Sequence, residues 1–146
     1  MFSYEIINND KLNIDIKIIN NIFKLISIKI KKRQKWILNI VFVDSNTIKN
    51  LNNTYRKIDK VTDVLSFHYF ENFGDVKDDE IVGEIIMNLE KIEIQAIEYW
   101  LWNEYEFYKL LIHSILHIIW YDHEVDDDYK IMNQFEKSIW QEVFEK

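Results

Sequence analysis

The residues best suited to chemistry fall in one short stretch, HSILHIIWYDH, from His113 to His123. The chain has four histidines, and three of them are here. In a helix, at about 100° per residue, His113 and His117 lie roughly 40° apart on one face and about 6 Å apart along the axis. That spacing lets two imidazoles bind one ion. A helix continued to His123 would turn it by about 240° and carry it about 9 Å further. To reach the same ion the chain must leave the helix and fold back, with WYDH as the turn. Three histidines around Zn²⁺ leave the fourth tetrahedral position for water, which is the arrangement of a catalytic rather than a structural site. Asp122 is a candidate to orient one imidazole from behind. The competing reading is a pair of core histidines satisfied by backbone or carboxylate groups, with His123 at the helix exit by coincidence.

The stretch lacks one residue that zinc proteases need. In H-E-x-x-H the glutamate acts as general base, and Ser114 stands in its place. A hydroxyl cannot do that work at neutral pH, so the pattern points away from peptide substrates. Phosphodiester cleavage needs such a base less, because Zn²⁺ polarises a phosphoryl oxygen and lowers the pKa of its bound water. Three neutral imidazoles would also leave the ion's charge uncancelled.

Composition bounds the rest. The chain has 146 residues, 48% hydrophobic and 15% aromatic, enough for one core and a single domain over 1–146. Its net charge of −7 argues against non-specific nucleic-acid binding, so a polyanionic partner must be met by a local positive feature. The absence of cysteine excludes disulfides and thiolate chemistry, leaving histidine and carboxylate as the strong metal ligands. MFSYEIINND has no basic leader character, and the longest apolar run, about Leu110 to Tyr121, is too short to span a bilayer. The expectation is a cytoplasmic protein with no membrane partner. Two glycines and no prolines leave little punctuation for locating boundaries.

The elements that must position the histidines follow from periodicity. FSYEIIN reads as a short strand. From about Lys11 to Lys32, apolar residues at Ile18, Ile22, Leu25, Ile26 and Ile30 mark an amphipathic helix. Its basic end, Lys29 to Lys35, reads as a solvated terminus, with contact to an RNA backbone as the alternative. Trp36 to Val43 is a buried strand. Asp44 or Ser45 caps the next helix. Thr62 to Phe70 and Ile81 to Met87 are strands around an acidic loop. Asn88 caps a helix, and Asn103 with Glu106 forms a capping box for another, Glu104 to about Trp120. That helix is apolar nearly all round, which places His113 and His117 well inside the fold. A last helix carries Ile131, Phe135, Ile139 and Val143 on one stripe. The order is β-α-β-α-β-β-α-α-α, an α+β (or α/β-like) domain with a sheet of about four strands packed by five helices.

Three segments resemble one family, the YbeY endoribonucleases, which are bacterial rRNA maturation factors. HSILHIIWYDH is similar to that family's H-G-x-L-H-L-x-G-Y-D-H. LNNTYRKIDKVTDVLSF, Leu51 to Phe67, is similar to its L-N-x-x-Y-R-x-x-D-x-x-T-D-V-L-S-F. VGEIIMNLEKIEIQAIE, Val82 to Glu98, is similar to its G-D-I-x-I strand and following helix. The resemblance implies a small mixed sheet with surrounding helices. It implies one Zn²⁺ per chain on His113, His117 and His123. It implies cleavage of single-stranded RNA in trimming the 3′ end of 16S rRNA and in ribosome quality control, with the small ribosomal subunit and its assembly factors as partners and no DNA. Arg56 and His113 are then the expected catalytic residues. Arg56, which alone reads as a surface arginine, becomes a bidentate phosphate clamp. Thr62 and Asp63 are expected to shape the strand entry and the substrate cleft; the alternative is a cap-and-turn pair. Two further readings stay open: a ribosome-assembly module with a structural zinc, and a zinc hydrolase of another phosphoester or an amide.

The sequence departs from the family at Ser114 and Trp120, where glycines are expected, and at His68, which replaces a proline. His68 reads as a strand-end surface residue. Trp120 falls where the chain should leave the helix, and a left-handed backbone there would cost a tryptophan roughly 1–2 kcal/mol.

Overall fold

A computed structural model describes residues 3–9, 12–30, 35–70, 76–120 and 128–145. The elements come in the expected order: β1 (Ser3–Ile7), α1 (Ile16–Ile30), β2 (Ile37–Phe42), α2 (Ser45–Arg56), β3 (Val64–His68), β4 (Ile81–Met87), α3 (Leu89–Glu98), α4 (Asn103–Trp120) and α5 (Asp128–Phe144). The strands form one mixed sheet in the order β1-β2-β4-β3. β1, β2 and β4 run parallel, and β3 pairs antiparallel with β4 at the edge.

Each start has a local cause. Asp44 accepts the Thr47 N–H at 2.7 Å and caps α2. Asn88 caps α3 through the Lys91 N–H at 2.9 Å, and its amide donates back to the Val43 carbonyl. The expected capping box on α4 is replaced by backbone: the helix starts at Asn103, and the Glu106 N–H goes to the Trp102 carbonyl. α1 starts later than its apolar pattern suggests, after Asp15, whose carboxylate takes the Lys17 N–H. Its buried stripe is therefore Ile19, Ile22, Phe23 and Ile26, while Ile18 and Leu25 lie at the margin. On α5 the buried positions are Ile139, as expected, and Met132 in place of the expected Ile131.

The core sits between one sheet face (Leu38, Ile40, Phe42, Ile85, Met87) and the helices α1, α4 and α5. A smaller cluster of Ile48, Leu65 and Ile86 seats α2 on the opposite face. α4 comes very close to the sheet at Gly83. A Cβ there would collide with the Phe67 carbonyl oxygen and sit 3.2 Å from Ile118. The lack of a side chain at Gly83 therefore sets the depth of α4's C-terminal half, which carries His117.

Among the described residues, no helix is long and apolar enough to cross a membrane.

Candidate metal centre

α4 is wrapped by α1, α3, α5 and two strands. Phe107, Leu111, Ser114, Ile115 and Leu116 are fully buried. One stripe stays open: Tyr105, Lys109 and His117 are exposed and His113 is half-buried, each four residues after the last. This corrects the expectation that both histidines lie well inside the fold. Apolar residues all round a helix report how it is wrapped, but not which polar side chains line the remaining gap. An open stripe is also what a reactive site needs, since substrate must reach it.

The two imidazole rings face each other with centroids 5.3 Å apart and a tilt of 32°. Two imidazoles on one tetrahedral Zn²⁺, with Zn–N of about 2.0–2.1 Å, place their ring centres roughly 5 Å apart. The pair therefore fits a shared ion. Among the described residues, no group of three or more histidine or acidic side chains forms a complete cage. The third expected ligand, His123, lies outside the described residues, as does Asp122.

Nδ1 of His113 is hydrogen-bonded to Oε1 of Glu136, which reaches over from α5. This bond raises the His113 pKa against the opposing effect of burial, and Asp63 adds to the rise. His117 moves the other way: desolvation and the neighbouring His113 lower its pKa. The two imidazoles are thus held in different environments although they are one turn apart. Sequence reasoning missed Glu136, which lies 23 residues from its partner. Lys109, four residues before His113 on the same open stripe, was within reach of that reasoning.

Ser114 is 0% exposed, and its hydroxyl has no hydrogen-bond partner among the described residues. Any side chain at this position faces the core, so a glutamate here would not reach a substrate. α4 ends at Trp120, as expected, but Trp120 itself keeps a helical backbone and carries no left-handed strain. The left-handed non-glycine residues are Asn8, Lys57, Asp79 and Trp100. Two of these lie in turns that follow helices: Lys57 after α2, and Trp100, 95% exposed, after α3.

Asp63 stands at the start of β3. Its carboxylate accepts the Val64 N–H at 2.7 Å and the Thr62 hydroxyl at 3.1 Å, and its carbonyl accepts the Asn88 N–H. Thr62 and Asp63 thus form a turn pair, and the charge of Asp63 is also felt at His113. Arg56 is exposed at the end of α2 and forms no ion pair among the described residues. α2 and α4 pack on opposite sheet faces, and the loop after Arg56 leads round to Asp63. Asn52 holds this loop through the Lys60 carbonyl at 3.0 Å. His68 is exposed at the end of β3, on the face of its register partner Gly83. Lys29, in the basic run, is engaged with Glu142 at 2.8 Å and Ser138 at 3.1 Å, tying α1 to α5; residues 31–34 lie outside the described residues.

Comparison with known proteins adds an independent line. A family model described as endoribonuclease YbeY matches residues 5–143. A protein of Carboxydothermus hydrogenoformans named endoribonuclease YbeY is 36% identical over 133 residues, covering 89% of each chain. One from Fusobacterium nucleatum with the same name is 39% identical over 125 residues, 82% of this chain and 75% of that one. The solution structure of a Thermotoga maritima protein matches with a TM-score of 0.59 and 28% identity, covering 95% of this chain and 90% of that one.

Proposed function

The chain belongs to the endoribonuclease YbeY family, and from that premise we propose that it is a Zn²⁺-dependent endoribonuclease acting on single-stranded RNA, in 16S rRNA 3′-end maturation and ribosome quality control. The observation that carries the reading is the facing pair His113 and His117, at metal-sharing distance on the open stripe of an otherwise wrapped helix. The closed position of Ser114 supports it by arguing against a peptidase.

His113, His117 and His123 would hold the ion. When bound, Zn²⁺ supplies a Lewis acid for a phosphoryl oxygen and a water of lowered pKa. The other roles belong to the chain's own residues. Arg56, with no ion-pair partner among the described residues, is available to clamp a phosphate with two parallel N–H bonds. Thr62 and Asp63, which fix the entry to β3, would shape the substrate cleft. The negative field of Asp63 and Glu136 keeps the open stripe from being purely positive. RNA is then held by a few specific contacts rather than by a broad basic surface, in keeping with the net charge of −7. The partners that follow are rRNA and the small ribosomal subunit, in the cytoplasm.

The test uses two variants. His117→Ala should lose Zn²⁺ and RNA cleavage together. Arg56→Ala should keep Zn²⁺ and melt as wild type, because the side chain is exposed, but should cleave about 10²-fold more slowly, as expected for loss of a charge-stabilising donor. Wild-type cleavage by His117→Ala would refute the site. Wild-type cleavage by Arg56→Ala would refute the clamp.

A further inference from the structure

We infer that Glu136 is a positioning residue for the metal: from α5 it holds the His113 ring so that Nε2, not Nδ1, faces the ion. The inference rests on the zinc reading above and adds a residue from an element that the histidine motif does not include.

Imidazole has two ring nitrogens, and they are not equivalent. A neutral ring carries one proton, and only the bare nitrogen can bind a metal. Oε1 of Glu136 lies against Nδ1 of His113. A carboxylate only accepts, so Nδ1 must carry the proton and Nε2 is left bare. The same bond fixes the ring's rotation, since His113 is held from α4 at its Cβ and from α5 at its Nδ1. A ligating histidine backed by a carboxylate is a recurrent device that raises ligand basicity and orients the ring.

The packing supports a role beyond cohesion. Glu136 is one helical turn from Met132 and Ile139, which are buried in the core and set the register of α5 against α4. The carboxylate therefore arrives at His113 by the packing of apolar neighbours and not by chance contact of a loose side chain. Its side chain is 23% exposed and lines a groove of about 390 Å³ between α4 and α5, with Lys109, Asn133 and Lys137. Shortening it removes the hydrogen bond and leaves a space that water can enter, so the fold should survive the change.

The experiment compares Zn²⁺ affinity, by competition with a chromogenic chelator, for wild type, Glu136→Ala, Glu136→Gln and His117→Ala. Glu136→Ala should bind Zn²⁺ about 10–100-fold more weakly than wild type while melting alike in the metal-free state. Glu136→Gln, whose amide oxygen still accepts from Nδ1, should recover a large part of that loss. Affinities of both Glu136 variants within twofold of wild type would overturn the inference. So would equal losses in both, since the role would then be charge and not orientation. If Glu136→Ala does not fold, ¹⁵N chemical shifts of His113 in the metal-free wild type at alkaline pH decide the matter. A protonated Nδ1 supports the inference and a protonated Nε2 overturns it. Failure of the zinc reading looks different: wild type itself would bind no more tightly than His117→Ala.

Discussion

Glu106 shows how one residue can carry a cost that its neighbours explain. It lies on α4 two turns before His113, 1% exposed, with Oε2 lacking a hydrogen-bond partner among the described residues. Burial raises its pKa above the ordinary carboxyl value; Lys109 opposes the rise and Asp63 adds to it. A carboxyl that holds its proton more tightly when folded contributes stability below its unfolded value of about 4.3, and that stability is lost as pH rises through the raised folded value. Glu106→Gln stays neutral throughout. Its melting temperature should therefore gain on wild type as pH rises from about 4 toward neutrality, by about 2–4 °C for each kcal/mol recovered. Parallel melting profiles across that range would show that the carboxyl is not desolvated. The sequence shows Glu106 only as a capping candidate. Its burial depends on the wrapping of α4 by other elements, which no local pattern encodes.

At the level of elements, α4 depends on Gly83. The obstruction that a Cβ would meet there is the Phe67 backbone carbonyl, which cannot rotate aside as a side chain can. Gly83→Ala should force α4, β3 or both to shift, at a cost of roughly 1–3 kcal/mol. It should lower the melting temperature by several degrees and weaken Zn²⁺ binding through His117, one residue from Ile118. A thermal melt and a metal titration check this; wild-type behaviour in both would mean that the close approach is not needed. Much at this scale was readable from the chain. The strand expected over Trp36–Val43, the cap at Asn88 and the four-residue spacing of His113 and His117 are all local, and all appear where expected. The errors also have local causes. The apolar pattern of α1 shares Ile22 and Ile26 with the true core face but extends past both sides of it, to Ile18 and Leu25. The exposure of the two histidines is not legible in the pattern, because an apolar helix does not reveal its one open side. The partner of His113 was unreadable because it depends on the register of α5 against α4, which the packing of Met132 and Ile139 sets.

Across the whole molecule, an acidic chain must act on an acidic polymer. Its net charge is −7, and one of its lysines, Lys29, is spent on tying α1 to α5. The proposed site would meet this by concentrating positive charge locally, an ion on the open stripe of α4, with Arg56, exposed at the end of α2, as the phosphate clamp. The core does not depend on that ion: it is closed by aliphatic and aromatic contacts between the sheet and α1, α4 and α5. Removing the metal should therefore silence the protein without unfolding it. The direct measurement is the metal content of the protein as purified, followed by cleavage of single-stranded RNA before chelation, after chelation, and after Zn²⁺ is restored. The account predicts an equimolar amount of Zn²⁺, loss of cleavage with the fold intact once it is stripped, and recovery on its return. Full-rate cleavage by protein shown to be metal-free would contradict it.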